Sequence, residues 1–292
     1  MIVSHLSIAL RLIRRHKAHT AINILGLALA MAVSIIILLY VQDDFSHEMP
    51  HANVDRIYRV YREYPDRGKL LPVALTPHPL AHDLNRDLVE IEDTVTVSNP
   101  RSVWVRHNSQ WLKLDPAHFT NPSFFHIFSF SARSGNLNGA LEDPRSVVLT
   151  AALAKKLFDE QDPVGRTIFF RKFGELRVTA VIENPRRTHL RLGIILPMDL
   201  YEFPKHYNRR HTSNFNTYVL AGKYEDEDSI RRSIEKYSEI YWGTKKEGIF
   251  RIQPLRRIWL HSDLAYDFVK APYDVGLDYL MLTVVASMLA MA

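Results

Sequence analysis

Thr20 to Val41 reads TAINILGLALAMAVSIIILLYV, without a charge from end to end. Wound as a helix at about 1.5 Å per residue, a run of this length crosses the roughly 30 Å hydrocarbon core of a bilayer. A core helix of a soluble protein is rarely apolar for so long. A secretory signal has a shorter apolar region, about 7–15 residues, ending at a small-residue cleavage site. Ala28-Leu29-Ala30 offers such residues, but Ser34-Ile35-Ile36-Ile37-Leu38-Leu39 carries the run on beyond them, so the segment reads as an uncleaved anchor. Within it Gly26, Ala30 and Ser34 recur every four residues and share one helical face. Small side chains in that arrangement let a second helix approach closely, and they are also common in membrane helices at large.

Outward from the span, the two flanks differ in charge. Residues 1–19 contain Arg11, Arg14, Arg15 and Lys17 and no acid, whereas Asp43, Asp44, Glu48 and Asp55 all precede Arg56. The positive-inside bias therefore places the N-terminus in the cytoplasm and the chain from Gln42 onward outside it. Leu6, Leu10 and Ile13 line one face of the leading segment, which suits a short helix lying in the cytoplasmic interface against membrane lipid. The whole 292-residue chain has a net charge of +5, from 37 Lys and Arg against 32 Asp and Glu. Nearly all of that excess sits in the first 19 residues, so the remainder is close to neutral and the basic pI does not signal nucleic-acid binding. There is no cysteine, which excludes disulfides, Cys-ligated zinc and a Cys nucleophile.

The far end of the chain reads LDYLMLTVVASMLAMA from Leu277. Apolar side chains occur all round it, but it is too short for a complete span, and the expectation is a second membrane helix that the chain enters and does not finish. The organisation expected is thus a basic amphipathic segment (1–19), a membrane helix (20–41), a body (42–275) and an incomplete second membrane helix (276–292).

The body alternates strand and helix signals. Arg56–Tyr61 reads as a strand from its β-branched and aromatic content. Pro77 and Pro79 open a helix with Leu80, Leu84 and Leu88 at a four-residue spacing. Val95 and Val97, then Val103 and Val105, alternate with polar residues and suggest a meander turning at Asn99-Pro100. Ser146–Leu149 is a strand, with Thr150 placed to cap the helix that carries Leu153 and Leu157. Arg177–Ile182, Thr217–Leu220 and Phe250–Gln253 are further strands, and Asp228 is placed to cap a helix with Ile230, Ile234, Tyr237 and Tyr241 on one face. Many strands are joined by short turns, so the fold class expected is α+β, a two-lobed mixed domain outside the membrane, rather than a doubly wound sheet.

Chemical motifs are sparse. His47-Glu48-Met49-Pro50-His51 spells H-E-x-x-H, the pattern that puts two imidazoles of a zinc protease on one helical face. Pro50 would break that helix and no third ligand is evident, so the expectation is a polar turn and no metal. His78 and His82 also stand four apart and are expected to be surface histidines. Glu225-Asp226-Glu227-Asp228 sits at a helix start, where acids complement the helix dipole. The chain has no G-x-x-x-x-G-K-[ST] loop for nucleotide phosphates, no G-x-S-x-G elbow and no G-x-G-x-x-G. No catalytic set, cofactor site or metal site is expected.

Taken in order, the pieces of the chain resemble the bacterial ABC transporter permeases of the MacB/FtsX-like group, with their periplasmic core domain. The resemblance is carried by Asn23–Leu27, by His51-Ala52-Asn53-Val54-Asp55-Arg56-Ile57-Tyr58-Arg59-Val60 and by Thr76–Ala81. Its most specific stretch is Pro144-Arg145-Ser146-Val147-Val148-Leu149-Thr150, then Ala154–Phe158 and Asp162-Pro163-Val164-Gly165. It resumes at Val178–Val181, Thr217–Leu220, Gln253-Pro254-Leu255 and Leu260-His261-Ser262. Two positions depart from the pattern: Ala180 stands where Gly is usual, and Asp159 where Gly often follows the Phe. The resemblance implies a permease subunit in the bacterial inner membrane, paired with a second permease copy and a separate ATP-binding subunit, and acting on antibiotics, peptides or lipoproteins through a periplasmic adaptor. Two rival readings are a membrane-tethered sensor or ligand-binding ectodomain and a tethered hydrolase.

Overall fold

The computed structural model describes residues 17–45, 51–185, 188–204, 212–243, 248–259 and 262–267, with single positions 281 and 283. The expected polar turn at His47–Pro50, the amphipathic segment before Lys17 and nearly all of the expected second membrane helix lie outside the described residues. The chain divides into two compact units, one holding the N-terminal helix and the other running from His47 to Ala271.

In the first unit, α1 (Lys17–Phe45) is a continuous helix. Among the described residues it is the one helix long and apolar enough to cross a membrane, over Thr20–Tyr40. Ile22, Leu25, Leu29 and Ile36 are exposed along it, as side chains that meet lipid would be.

The second unit is built on one sheet. In chain order its elements are β1 (Ile57–Asp66), β2 (Lys69–Val73), β3 (Thr76–Pro77), α2 (Leu80–Asp87), β4 (Ile91–Ser98), β5 (Arg101–His107), β6 (Gln110–Thr120), α3 (Phe124–Ile127), β7 (Ala132–Gly135), β8 (Ser146–Thr150), α4 (Ala151–Phe158), β9 (Thr167–Phe170), β10 (Gly174–Ile182), β11 (Ile194–Pro197), β12 (Ser213–Ala221), α5 (Glu227–Trp242), β13 (Ile249–Pro254) and α6 (Leu255–Ile258). The main strand order is β13-β1-β12-β4-β6-β5-β9-β10-β8-β11. Strand β11 then pairs in parallel with β6, Ile194 opposite Ala117, so the strands from β6 to β11 close into a ring. Most pairings are antiparallel, with β8 on β10 the other parallel pair. This is the expected α+β class, with the two lobes sharing one sheet: a closed ring at one end and an open, helix-covered half at the other.

Period-two alternation fills the ring. Val103 and Val105 of β5, Ile168 and Phe170 of β9, Leu176 and Val178 of β10 and Ile194 and Leu196 of β11 form one buried cluster. Ser146-Val147-Val148-Leu149-Thr150 is buried at every position because β8 has protein on both faces. Val147 and Leu149 point into the ring cluster, and Val148 points into a second core with Ile195, Val95, Val97, Tyr218 and the aromatic side chains of α3. On the far face of the open half, α2 and α5 lay Leu80, Leu84, Ile230, Ile234 and Tyr237 over Val60, Val219 and Phe250. The helices also touch through Tyr237, whose hydroxyl donates to Asp87 Oδ2 at 2.8 Å. Hydrogen bonds from Arg86 and then Tyr237 hold the Asp87 carboxyl down to about 2.

Several local expectations are corrected. Asn99-Pro100 does not turn a hairpin between β4 and β5, because β6 lies between them. The hairpin is β5–β6, turned at Asn108-Ser109, where both residues have positive φ (48° and 64°) as a type I′ turn requires. The Thr150 side chain makes no capping bond, and the amide of Ala152 donates instead to Asn184 Oδ1 at 2.8 Å. Helix α5 is capped by Asp226 rather than Asp228, its carboxylate accepting from the Ser229 amide at 2.6 Å.

The two departures from the resembled pattern have physical explanations. Asp159, directly after α4, has φ 54° and ψ −124°, a conformation that costs a non-glycine residue about 1–3 kcal/mol. Asp159→Gly is therefore expected to stabilise the protein by about 1 kcal/mol, read as a higher denaturation midpoint at unchanged m-value. At the other site, Ala180 pairs with Gly135 across β10 and β7. A Cβ on Gly135 would lie 2.8 Å from Ala180 Cα and 2.4 Å from the Thr179 carbonyl oxygen. The methyl at 180 is thus tolerated beside a residue that has no side chain.

Candidate functional site

Two short segments join the sheet of the second unit to the rest of the chain: residues 51–56, arriving at β1, and residues 262–267, leaving after α6. Both are fixed by polar and aromatic contacts that regular secondary structure does not require.

The arriving segment is held residue by residue. His51 is buried, its ring edge-on to Phe128 at 5.3 Å and to Phe130 at 5.1 Å. The Ala52 amide donates to Ser129 Oγ at 3.2 Å, and Val54 is buried in the second core. Arg56 donates to Glu92 Oε2 and to the Ala221 carbonyl, both at 2.7 Å, and to Asn53 Oδ1 at 3.0 Å. Its bond to Glu92 lowers that carboxyl below the usual range. Asp55 accepts from Arg256 of α6, with Nε–Oδ1 at 2.6 Å and Nη2–Oδ2 at 2.9 Å, a bidentate fork between the arriving segment and the short helix after β13.

The leaving segment is held by Arg59 of β1. This side chain is fully buried, and its ion pair with Asp267 has N–O 2.8 Å with side-chain exposures of 0% and 2%. Arg59 Nη2 also donates to Gln253 Oε1 at 2.6 Å and to Ser262 Oγ at 2.7 Å. Ser262 closes the circuit by donating to Asp267 Oδ2. Between these two residues Ala265 exchanges backbone bonds with the end of β2: Ala74 N to Ala265 O at 3.1 Å and Ala265 N to Pro72 O at 2.8 Å. A planar guanidinium with a fixed fork of donors suits this role, since it reaches a carboxylate, an amide and a hydroxyl at once. The arriving chain is thereby fastened to residues 128–130, Glu92, Ala221 and Arg256, and the leaving chain to β1 and the end of β2.

This clamp was not legible as a site. Arg59 and Arg56 read only as polar positions in a strand signal, and Asp267 belongs to no periodic element. The pieces His51–Val60, Gln253–Leu255 and Leu260–Ser262 were recognisable by resemblance, and the described members of all three supply the clamp.

The other residues singled out from the sequence fall elsewhere. Of the H-e-x-x-H pattern, His47 and Glu48 lie outside the described residues, and the His51 imidazole is packed between two phenyl rings. His78 is not a surface histidine: it is half-buried, edge-on to Phe203 at 4.8 Å and Phe215 at 5.1 Å, and precedes α2 rather than lying on it. His82 is exposed as expected, 3.5 Å from Asp83. Along α1, Ser34 is buried, Ala30 half-buried and Gly26 exposed, with nothing within 4 Å of where its Cβ would stand. Among the described residues no group of three or more His, Asp or Glu side chains could hold a metal ion.

The MacB-like periplasmic core domain family matches residues 20–237. No curated protein matches the chain. Among solved structures, a domain of a protein described as a permease, from Porphyromonas gingivalis, is 14% identical with a TM-score of 0.57, over 70% of this chain and 92% of that one. The periplasmic region of MacB from Actinobacillus actinomycetemcomitans is 15% identical with a TM-score of 0.52, over 70% of this chain and 90% of that one. At such identities the likeness is one of fold.

Proposed function

Because this chain belongs to the MacB-like periplasmic core domain family, we propose that it is the part of an ABC transporter permease that carries motion from the membrane into a periplasmic body. The body does no chemistry of its own and needs no cofactor. A separate ATP-binding subunit supplies the energy, a second permease copy completes the membrane assembly, and a periplasmic adaptor receives the movement. The cargo is taken up on the outer side of the inner membrane: antibiotics, peptides or lipoproteins. The observation that carries this reading is the clamp. A relay needs its input segments fastened to a rigid element, and a sheet whose ring end is filled and whose β8 is buried on both faces moves as a body rather than deforming.

The test uses the full-length permease purified from its host membrane. An ATP-binding subunit is expected to co-purify, and the sensor reading predicts that none does. Gly26→Leu is expected to weaken permease self-association and ATP-dependent transport several-fold. In α1 itself the added side chain meets open space. A Leu facing lipid costs nothing, so any loss reports a partner helix on the Gly26, Ala30, Ser34 face. Leu38→Ala, off that face, is the control. Wild-type association and transport in Gly26→Leu would remove these residues from the assembly.

A further inference from the structure

The mouth of the closed ring holds a cavity of about 380 Å³. Three pieces of chain wall it: the start of β5 (Arg101–Trp104), the β9–β10 turn (Phe170–Phe173) and Leu200–Glu202 after β11, with Phe119 of β6 behind them. Its volume falls within the roughly 300–1,000 Å³ of small-molecule sites, and barrel mouths are one of their regular places.

The interior is apolar and aromatic. Phe119 stands edge-on to Phe173 at 5.8 Å and to Tyr201 at 5.4 Å, and Val103, Phe170 and Leu200 complete the lining. The rim carries three cations and one acid. Lys172 and Glu202 neutralise each other at 2.6 Å and join two of the walls. Arg101 and Arg171 have aromatic neighbours instead of carboxylates. The Arg101 guanidinium lies 4.4 Å from the Tyr201 ring centre and donates to its hydroxyl, and that of Arg171 lies 5.9 Å from Trp111. The Arg171 backbone is fixed by its amide bond to the Trp104 carbonyl at 2.9 Å. One exposed guanidinium, that of Arg101, without an acidic partner among the described residues, therefore borders an aromatic hollow, while that of Arg171 lies toward Trp111, which is outside the lining.

We propose that this cavity binds an apolar acid: a single carboxylate on a ring system or a short acyl chain. The apolar part would lie against Phe119, Phe170 and Phe173, and the carboxylate would meet Arg101, whose fork matches its geometry. With Lys172 and Glu202 neutralising each other, Arg101 is the cation left at the rim, which matches one negative charge.

The test is calorimetric titration of the full chain in zwitterionic nanodiscs, with empty discs as reference and no nucleotide present, so the outcome does not depend on transport. The probes are 2-naphthoate, octanoate, 2-naphthol and 2-naphthylmethylamine. Saturable one-to-one binding of naphthoate or octanoate is expected, with naphthoate at least about tenfold tighter than naphthol, as charge-assisted hydrogen bonds to a carboxylate require. The amine should not bind. Arg101→Gln should erase the preference for the acid and leave naphthol unchanged, and Leu200→Trp should weaken every probe by filling the hollow. Acid binding no stronger than to empty discs, or equal affinity for naphthoate and naphthol, overturns the proposal on the unaltered protein alone. So does a charge-neutralised variant that keeps the preference.

Discussion

Asp267→Ala is expected to destabilise the periplasmic body by about 3–5 kcal/mol, because it leaves the buried guanidinium of Arg59 without its counter-ion. In a domain of this size each kcal/mol moves the melting midpoint by about 2–4 °C, so the loss should read as roughly 6–20 °C. Asp267→Asn keeps a hydrogen-bond acceptor and should lie between. The double change Arg59→Met with Asp267→Leu removes both charges and should recover most of the loss, since the penalty belongs to the unpaired charge and not to the missing attraction. If the proposed relay operates, the Asp267→Ala variant assembled with its ATP-binding subunit should also give less transport per ATP hydrolysed, as the leaving segment would no longer be fastened to β1. A variant melting within a degree of the wild type would show that Arg59–Asp267 is not a structural element.

Phe128→Ala is expected to cost about 3–5 kcal/mol, the range for a large aromatic side chain removed from a tight core. Phe128 is fully buried and touches Phe124, Tyr218 and His51, with ring centres 5.2, 5.1 and 5.3 Å away. The effect should have a location as well as a size. His51 loses one of its two packing rings, so amides of residues 52–56 should exchange faster than those of β9 and β10 in the ring. Phe128→Leu refills most of the space and should cost less than half as much. Uniformly faster exchange across the body would mean that Phe128 supports the fold generally and does not hold the arriving segment in particular.

The sequence carried the class of the fold and the long apolar N-terminal helix well because both rest on short-range patterns. The Val103/Val105 alternation and the Leu80/Leu84 spacing are local signals, and each corresponds to an observed element. Pairing is not local. Asn99-Pro100 has the composition of a hairpin turn, and Asn108-Ser109 lacks the glycine that would have marked the real one. The caps misread at Thr150 and Asp228 show a related limit. Where several oxygens compete for one helix start, the winner is set by backbone geometry, and for α4 it is Asn184, from another strand's end. The clamp was hidden for the strongest version of the same reason: Arg59 and Asp267 become partners only when the sheet is complete. The cavity at the ring mouth likewise needs three remote segments, none of which has a motif.

Strand β1 sits between partners that come from the other end of the body: β12, from Ser213, on one edge and β13, from Ile249, on the other. A chain emerging at about 5–20 residues per second would leave the edges of β1 without these partners for roughly 10–40 s, until β13 has been made and delivered to the outer side. Contacts so distant along the chain also form slowly once all the parts are present, because loop closure must precede any gain from pairing. For that interval Ile57-Tyr58-Arg59-Val60-Tyr61 is an apolar, β-prone segment with open edges, and its two arginines act as gatekeepers flanking and interrupting it. Arg56 and Arg59 are thus placed where gatekeeper charges would keep the nascent strand soluble before either has met its carboxylate.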